Sequence, residues 1–250
     1  MANGNGNGMN PTAIHLSLQG KGGVGKSLVA SILAQYFLSR GRVVNCIDTD
    51  PVNGTLSQYA ALAAQRLKLL RDGAIDSRGF DDLMDRLLTE DGIFVVDSGA
   101  STFVPLWNYI LQGNVVEILK AAGKSLYVHT VVTGGQALGD TLDGFRQLAQ
   151  TTEEQNIIVW INEFFGRVER KGKAFSEMAV FHEHASRVLG LVGIAKRNQD
   201  TFGRDIEEMI TSKQTFEEAI GGGDYSIMMK QRLRMIQRDL FEQLDRLALA

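Results

Sequence analysis

The stretch LQGKGGVGKS, residues 18–27, decides the fold, because it places four glycines and two lysines in ten positions. Gly20, Gly25, Lys26 and Ser27 match the spacing G-x-x-x-x-G-K-[ST] of a phosphate-binding loop. An apolar run precedes the stretch, and apolar residues at helical spacing follow it. Glycines allow a backbone to turn its N–H groups onto phosphate oxygens, and the start of a helix favours the same negative charge. The motif therefore predicts a nucleotide site; a glycine-rich turn without a ligand is the structural alternative.

Apolar runs of strand length recur on both sides of this loop. They are rich in Val and Ile and barely alternate with polar residues, which is typical of strands buried on both faces. Strand–helix–strand units of this kind form right-handed crossovers. The pattern predicts an α/β fold of the three-layer P-loop NTPase type, with a mainly parallel central sheet flanked by helices on both faces. The predicted strands are 13–18, 42–47, 92–97, 125–132, 156–162 and 188–195.

The remaining stretches predict helices and a simple domain organisation. An Asn-Gly-rich segment, 1–12, reads as a flexible tail, and 13–250 as a single domain without a Pro-rich linker. Within that domain, 226–250 has one apolar stripe at 4-3-4-4-3 spacing, which predicts a long amphipathic C-terminal helix. One further helix is predicted from Leu28 to just before Gly41. The others are predicted at roughly 55–71, 79–90, 103–122, 136–151, 174–187 and 202–220.

Composition narrows the function classes. The chain has 250 residues, a net charge of −3 and 44% hydrophobic residues, so no overall positive field attracts nucleic acid or anionic membrane. Cys46 is the single cysteine, which excludes an internal disulfide and disfavours metal fingers. No apolar run is long enough for a membrane span, and the N-terminus lacks the basic and apolar regions of a secretory signal. We expect a cytoplasmic protein.

The loop residues have distinct expected roles. The Lys26 ammonium is expected to reach the β- and γ-phosphates, and the Ser27 hydroxyl to ligate Mg²⁺. Other loop residues would contribute backbone N–H groups and shape. The expected cofactors are therefore ATP and Mg²⁺, with GTP left open. The cofactor-binding residues in this stretch are Gly20, Lys21, Gly22, Gly23, Val24, Gly25, Lys26, Ser27 and Leu28.

Carboxylates follow two of the predicted strands. CIDTDPVN, residues 46–53, puts Asp48 and Asp50 at the end of one strand, and FVVDSGA, residues 94–100, puts Asp97 at the end of another. The carboxyl ends of parallel strands share the edge where open α/β sheets bind ligands. A carboxylate on an attacking water and others around a metal are sufficient parts for phosphoryl transfer. A turn built from Asp and Pro, and a strand-end cap, are the structural alternatives.

The string KGGVGKS resembles the deviant phosphate loop of the ParA/MinD group of P-loop ATPases. That resemblance implies that Lys21 reaches across a nucleotide-sandwiched homodimer to the partner's phosphates, as a charge supplied in trans. It further implies a catalytic set of Lys21, Lys26 and Asp50, in which Asp50 orients the attacking water. Metal contacts would come from Ser27, Asp48 and Asp97, the switch loop would be fixed by Asn53, and adenine would be read by Asn162. Where relatives often carry prolines, this chain has Ser98, Gly99 and Ala100.

Longer segments, including QGKGGVGKS, IDTDPVN and HTVVTGGQALGDTLDGF, resemble the TraL group of ParA-like proteins. This resemblance implies a dimerising Mg²⁺-ATPase switch, slow and stimulated by a partner, that is an accessory to plasmid conjugative transfer or mobilisation. The partners would be a second copy and a plasmid-transfer protein. The alternatives are a DNA-segregating partition ATPase and a nucleotide-binding interaction module with little hydrolysis. The basic residues of the C-terminal helix leave four possibilities open: contact with nonspecific DNA, contact with membrane, docking on the core, and docking on a partner subunit.

Overall fold

A computed structural model describes residues 11–152 and 156–249. Its main sheet has seven strands in the described part of the chain, all parallel, in the order β7-β6-β5-β1-β4-β2-β3. All six predicted strands are confirmed, while β3 is a two-residue edge strand that the sequence did not indicate. The strands are β1 Ala13–Ser17, β2 Val44–Asp48, β3 Gln65–Arg66, β4 Ile93–Asp97, β5 Ser125–Thr133, β6 Ile157–Asn162 and β7 Val188–Ile194.

Helices cover both faces of the sheet, as predicted. Successive strand residues point to opposite faces, so Phe94 and Val96 of β4 enter one core cluster while Ile93 and Val95 enter the other. The first cluster lies under α2 Gly79–Thr89, α3 Phe103–Gln112, α4 Val115–Ala121, α5 Leu138–Thr151 and α6 Ala179–His184. The second lies under α1 Lys26–Ser39, α7 Arg204–Thr211, α8 Phe216–Gly221 and α9 Ile227–Asp245.

The predicted helix at 55–71 is wrong. The chain instead forms two short 3₁₀ turns, Leu56–Gln58 and Ala60–Leu62, and then the edge strand β3. Leu56, Tyr59 and Leu62 are buried at intervals of three, which a 3₁₀ turn places on one side just as a helix does. The apolar spacing was therefore real, but it belonged to turns too short for an α-helix.

Three other predicted helices are interrupted or shortened. The stretch 103–122 divides into α3 and α4 at Asn114, whose φ of 50° is left-handed. The stretch 202–220 divides into α7 and α8 at Lys213, whose φ of 54° is left-handed as well. Neither residue can continue a right-handed helix in that conformation. The stretch 174–187 keeps only the six residues of α6, between two 3₁₀ turns.

The C-terminal helix docks on the core. Met229, Leu233, Leu240 and Leu244 along its stripe are buried in the second cluster. Ion pairs add to this packing, from Arg232 to Asp205 and from Arg40 to Asp245 (2.7 Å). The apolar stripe therefore faces the protein interior, so this face of the helix is not exposed for contact with a membrane. No helix in the described ranges is both long and apolar enough to cross a membrane. The predicted tail, 1–12, lies outside the described residues except for Pro11 and Thr12.

Candidate nucleotide site

Three parallel strands bring the predicted site together at their carboxyl ends. Ser17 of β1 is the register partner of Asp97 in β4, and Asp97 is the partner of Asp48 in β2. The phosphate-binding loop continues from β1, and α1 begins directly after it at Lys26. Gly25 has a φ of 106°, which L side chains rarely adopt, so glycine is required at the turn into the helix. The loop, the helix N-terminus and two carboxylates thus share one edge of the sheet.

Lys26 is folded into its own loop. Its ammonium donates a hydrogen bond to the Lys21 carbonyl (Nζ–O, 2.9 Å), and the side chain is only 7% exposed. Burial lowers the pKa of Lys26, while the charges of Asp97 and Asp50 raise it in part. Lys26 is also the first residue of α1, so its buried ammonium and the start of the helix both supply positive charge where the motif expects phosphate.

Asp97 is fully buried, and neither carboxylate oxygen has an aligned hydrogen-bond partner among the described residues. Burial raises the pKa of Asp97 to about 7, although the nearby Ser27 hydroxyl and the Lys26 charge lower it. The charges of Asp48 and Asp50 add to the increase. A buried carboxylate without aligned hydrogen bonds is costly, and a divalent cation with its water ligands would satisfy it. Asp97 and Ser27 therefore fit the Mg²⁺ that the motif predicts.

Asp48 shapes the loop that follows β2. Its Oδ1 accepts a hydrogen bond from the Asp50 backbone N–H (3.0 Å), and its Oδ2 accepts one from the Ser57 N–H (2.9 Å). The carboxylate is fully buried next to Asp97. The hydrogen bonds of Asp48 are therefore to the backbone of the loop, and its expected contact with the metal stays a prediction.

Asp50 is held by the residues that follow it. Oδ1 accepts backbone N–H groups of Val52 (2.9 Å) and Asn53 (3.1 Å), and Oδ2 accepts the Asn53 side-chain amide (3.1 Å). Burial raises the pKa of Asp50, but these hydrogen bonds and the Lys26 charge outweigh it, so the net pKa is lowered. Asp50 is thus an oriented carboxylate whose lowered pKa favours the ionised form, and Asn53 holds it through two hydrogen bonds. The expected role of Asn53 in fixing the switch loop stays a prediction.

Lys21, the second lysine of the loop, pairs within its own chain. Its ammonium lies 2.7 Å from an Asp140 carboxylate oxygen in the first turn of α5, and both side chains are about half exposed. A pair this exposed contributes little to stability. The lysine is therefore available to exchange Asp140 for another anion.

Asn162 supports the loop from the end of β6. Its side-chain amide donates to the Val24 carbonyl (2.9 Å), and its Oδ1 accepts the Phe164 N–H (3.1 Å). The same side chain lines a mostly apolar cavity of about 220 Å³ beside Gly25. The structure thus places Asn162 at a pocket large enough for a base, while its amide is engaged with the loop. Other lining residues are Leu28, Phe165, Ile194, Phe202, Ile206 and Ile236.

Gln19 is a supporting residue that the motif did not reveal. It is buried, its amide donates to the carbonyls of Val131 (2.9 Å) and Thr141 (3.2 Å), and its Oε1 accepts the Gly20 N–H (2.9 Å). A Cβ at Gly144 of α5 would lie 2.0 Å from that Oε1. Gln19 therefore ties the first residue of the loop to β5 and α5. A glutamine at the end of an apolar strand was the only signal for it in the sequence.

Arg66 is a second such residue, and it comes from the stretch that was predicted as helix. Its guanidinium donates to the carbonyls of Pro51 (2.8 Å) and Asp50 (3.2 Å). The edge strand β3 thus restrains the loop that carries Asp50. Nothing in the sequence around Arg66 indicated this contact.

Comparison with known proteins agrees with this geometry. The model of the CobQ/CobB/MinD/ParA nucleotide-binding domain matches residues 17–219, which is most of the chain. The chain belongs to this family. The match begins at the last residue of β1 and includes the loop, the three carboxylates and Asn162.

One curated relative is similar over nearly its whole length, and two solved structures share the fold. Protein TraL of Escherichia coli is 44% identical over 233 residues, covering 93% of this chain and 97% of TraL. A plasmid partition protein of Borrelia burgdorferi B31 bound to AMPPNP has a TM-score of 0.50 and 18% identity, covering 93% of this chain and 99% of its own. The septum site-determining protein MinD of Pyrococcus horikoshii OT3, complexed with Mg-ADP, has a TM-score of 0.51 and 18% identity, covering 96% and 98%. The resemblance to the TraL group and the P-loop fold are both confirmed.

Proposed function

We propose that this chain is a Mg²⁺-ATP-dependent dimerising ATPase, a slow, partner-stimulated switch in the cytoplasm that is an accessory to plasmid conjugative transfer. The observation that carries the proposal is Asp97, a buried carboxylate without an aligned partner beside Ser27 and Lys26. The plasmid-transfer context comes from the resemblance to the TraL group, and Protein TraL of Escherichia coli is 44% identical to this chain over 93% of its length. The relatives with bound AMPPNP and Mg-ADP support the choice of nucleotide and metal.

The residues divide the work of phosphoryl transfer among them. Backbone N–H groups of the loop and the start of α1 would hold the phosphates, and Lys26 would exchange the Lys21 carbonyl for a phosphate oxygen. Ser27 and Asp97 would hold Mg²⁺, which when bound supplies positive charge to the phosphate oxygens. Asp50 is ionised and oriented, so it can accept a hydrogen bond from the attacking water and position it.

Lys21 would couple the reaction to dimer formation. In the single chain its ammonium is bound to Asp140, in a half-exposed pair that costs little to break. In a face-to-face dimer the lysine would turn to the phosphates of the partner, whose negative charge is greater than that of one carboxylate. ATP, which still carries its γ-phosphate, would then favour the dimer. Hydrolysis assisted by Asp50 would remove that phosphate and let the dimer dissociate.

The test is the mass in solution, by light scattering, of Asp50→Ala with Mg²⁺ and either ATP or ADP. We expect a mass near twice the 27.4 kDa of the chain with ATP and a monomer with ADP. The Lys21→Ala, Asp50→Ala double variant should stay monomeric with ATP. Lys173→Ala in the Asp50→Ala background is the matched control, because Lys173 is exposed on a short antiparallel hairpin, Glu169–Arg170 with Lys173–Ala174, that is not part of the main sheet. The proposal would be contradicted by a mass that is the same with ATP and with ADP and that does not change when Lys21 is substituted.

A further inference from the structure

Gly99 lies directly against the Asp50 carboxylate. A Cβ built at Gly99 would be 2.8 Å from Cγ and Oδ1 of Asp50 and 3.2 Å from its Cα, and distances below 3.0 Å essentially never occur for a real Cβ. The φ of Gly99 lies outside the left-handed range that favours glycine. Glycine is therefore required here for space and not for conformation.

Both segments that form this contact, the loop after Asp97 and the loop that carries Asp50, are held in place by hydrogen bonds. The Ser98 hydroxyl donates to the Ser17 carbonyl (2.7 Å), which fixes the loop to the end of β1. The Thr102 hydroxyl (3.0 Å) and backbone N–H (3.2 Å) both donate to the Gly99 carbonyl. On the other side, Asp50 is held by three hydrogen bonds from its own loop. A side chain at position 99 would have to displace one of two hydrogen-bonded loops.

We propose that Gly99 is a positioning residue for Asp50, and this rests on the hydrolytic role proposed above. Without a side chain at 99, the carboxylate rests on the backbone of the loop that follows Asp97, so this loop sets where Asp50 stands relative to Lys26 and Asp97. To reach an ordinary contact of 3.4 Å, an added methyl group must move the Asp50 carboxylate by about 0.6 Å. The same contact lets a movement of either loop shift the other.

The contact is tested first by thermal unfolding of four proteins: wild type, Gly99→Ala, Asp50→Ala and the double variant. Gly99→Ala should lower the Tm by roughly 2–10 °C when Asp50 is present, because it overpacks a buried contact. In the Asp50→Ala background, which lacks the clashing Cγ and Oδ1, the loss should be clearly smaller. Equal losses in the two backgrounds would overturn the proposal. Gly221→Ala is the matched control, because its Cβ would meet nothing within 4 Å.

The consequence for function is tested by phosphate release and by binding of a fluorescent ATP analogue with Mg²⁺. A displacement of this size should slow phosphate release by roughly tenfold or more, since misplacement by about 1 Å can cost about 100-fold. Affinity for the analogue should stay within roughly threefold of wild type, whereas a generally damaged site would lose both. Gly99→Ala with wild-type phosphate release would overturn the proposal. If the wild type itself releases no phosphate, the proposed hydrolysis fails, and the unfolding comparison alone decides the contact.

Discussion

Substitution of Asp97 by asparagine should stabilise the metal-free protein, and the gain should depend on pH. Burial raises the pKa of Asp97 in the folded state to about 7, from an ordinary value of 3.8. Between these values the folded state keeps its proton while the unfolded state has lost it. The free energy of unfolding therefore falls as the pH rises, by about 1.4 kcal/mol per pH unit. The contribution is fully present below about pH 4 and is lost above about pH 7, a total of about 4 kcal/mol.

Asparagine is neutral throughout this range, so Asp97→Asn should lack that loss. Urea unfolding in EDTA at pH 5 and at pH 8 measures the difference. The stability of Asp97→Asn relative to wild type should increase by about 3 kcal/mol between the two pH values, because about two pH units of the titration lie between them. Mg²⁺ with ATP should raise the stability of the wild type at pH 8 and have much less effect on the variant.

The matched control is Asp50→Asn, because the pKa of Asp50 is lowered in the folded state. Its ionised form is stabilised by folding, so this substitution should destabilise the protein at neutral pH and lose its effect only in acid. An Asp97→Asn protein no more stable than wild type at pH 8, or a difference from wild type that is the same at both pH values, would refute the reasoning about Asp97.

Further predictions follow from the supporting residues. Gln19→Ala should cost about 2–4 kcal/mol of unfolding free energy, measured by urea unfolding, because it removes the hydrogen bonds to the buried Val131 carbonyl and the Gly20 N–H and leaves a void against Gly144; an unchanged midpoint would contradict this. Asp140→Asn should change the Tm by no more than a few degrees, because its pair with Lys21 is exposed, yet lower the protein concentration needed for the ATP-dependent dimer in light scattering. If the Asp140→Asn variant needed a higher protein concentration to dimerise, the idea that Lys21 leaves Asp140 for the partner's phosphates would be contradicted. Arg66→Ala should slow phosphate release by roughly tenfold with ATP affinity nearly unchanged, because it frees the backbone of the Asp50 loop. Equal losses of both would indicate general damage.

Much of the nucleotide site was predictable because it is local. The phosphate-binding loop is one continuous stretch, and the conformation of Gly25 and the start of α1 depend on a few neighbouring residues. The apolar runs predicted six parallel strands, and parallel strands place their carboxyl ends together. Asp48 and Asp97 were therefore expected at the same edge, and the register confirms that they are direct neighbours.

The sequence-based predictions were wrong or left open where a short residue pattern is compatible with more than one structure. The spacing of Leu56, Tyr59 and Leu62 suits a 3₁₀ turn as well as an α-helix, and only the packing of the chain beyond β2 decides between them. Likewise, the sequence of α9 was compatible with contact to DNA, membrane, a partner subunit or the core. The burial of the apolar stripe assigned that face to the core.

By itself, the sequence determined the kind of fold, the phosphate-binding loop and the carboxylates at the strand ends. Only the tertiary structure decided what holds them: Gln19 against Gly144, Arg66 on the Asp50 loop, and Asp50 on Gly99. Gln19 and Gly144, like Asp50 and Gly99, are separated along the chain by other strands and helices, so their contacts depend on how the crossovers pack. Arg66 lies 16 residues beyond Asp50, and its contact depends on how two 3₁₀ turns bring β3 back beside β2. The types of group at the site are determined by local sequence, whereas their positions to within an ångström are determined by contacts between distant segments.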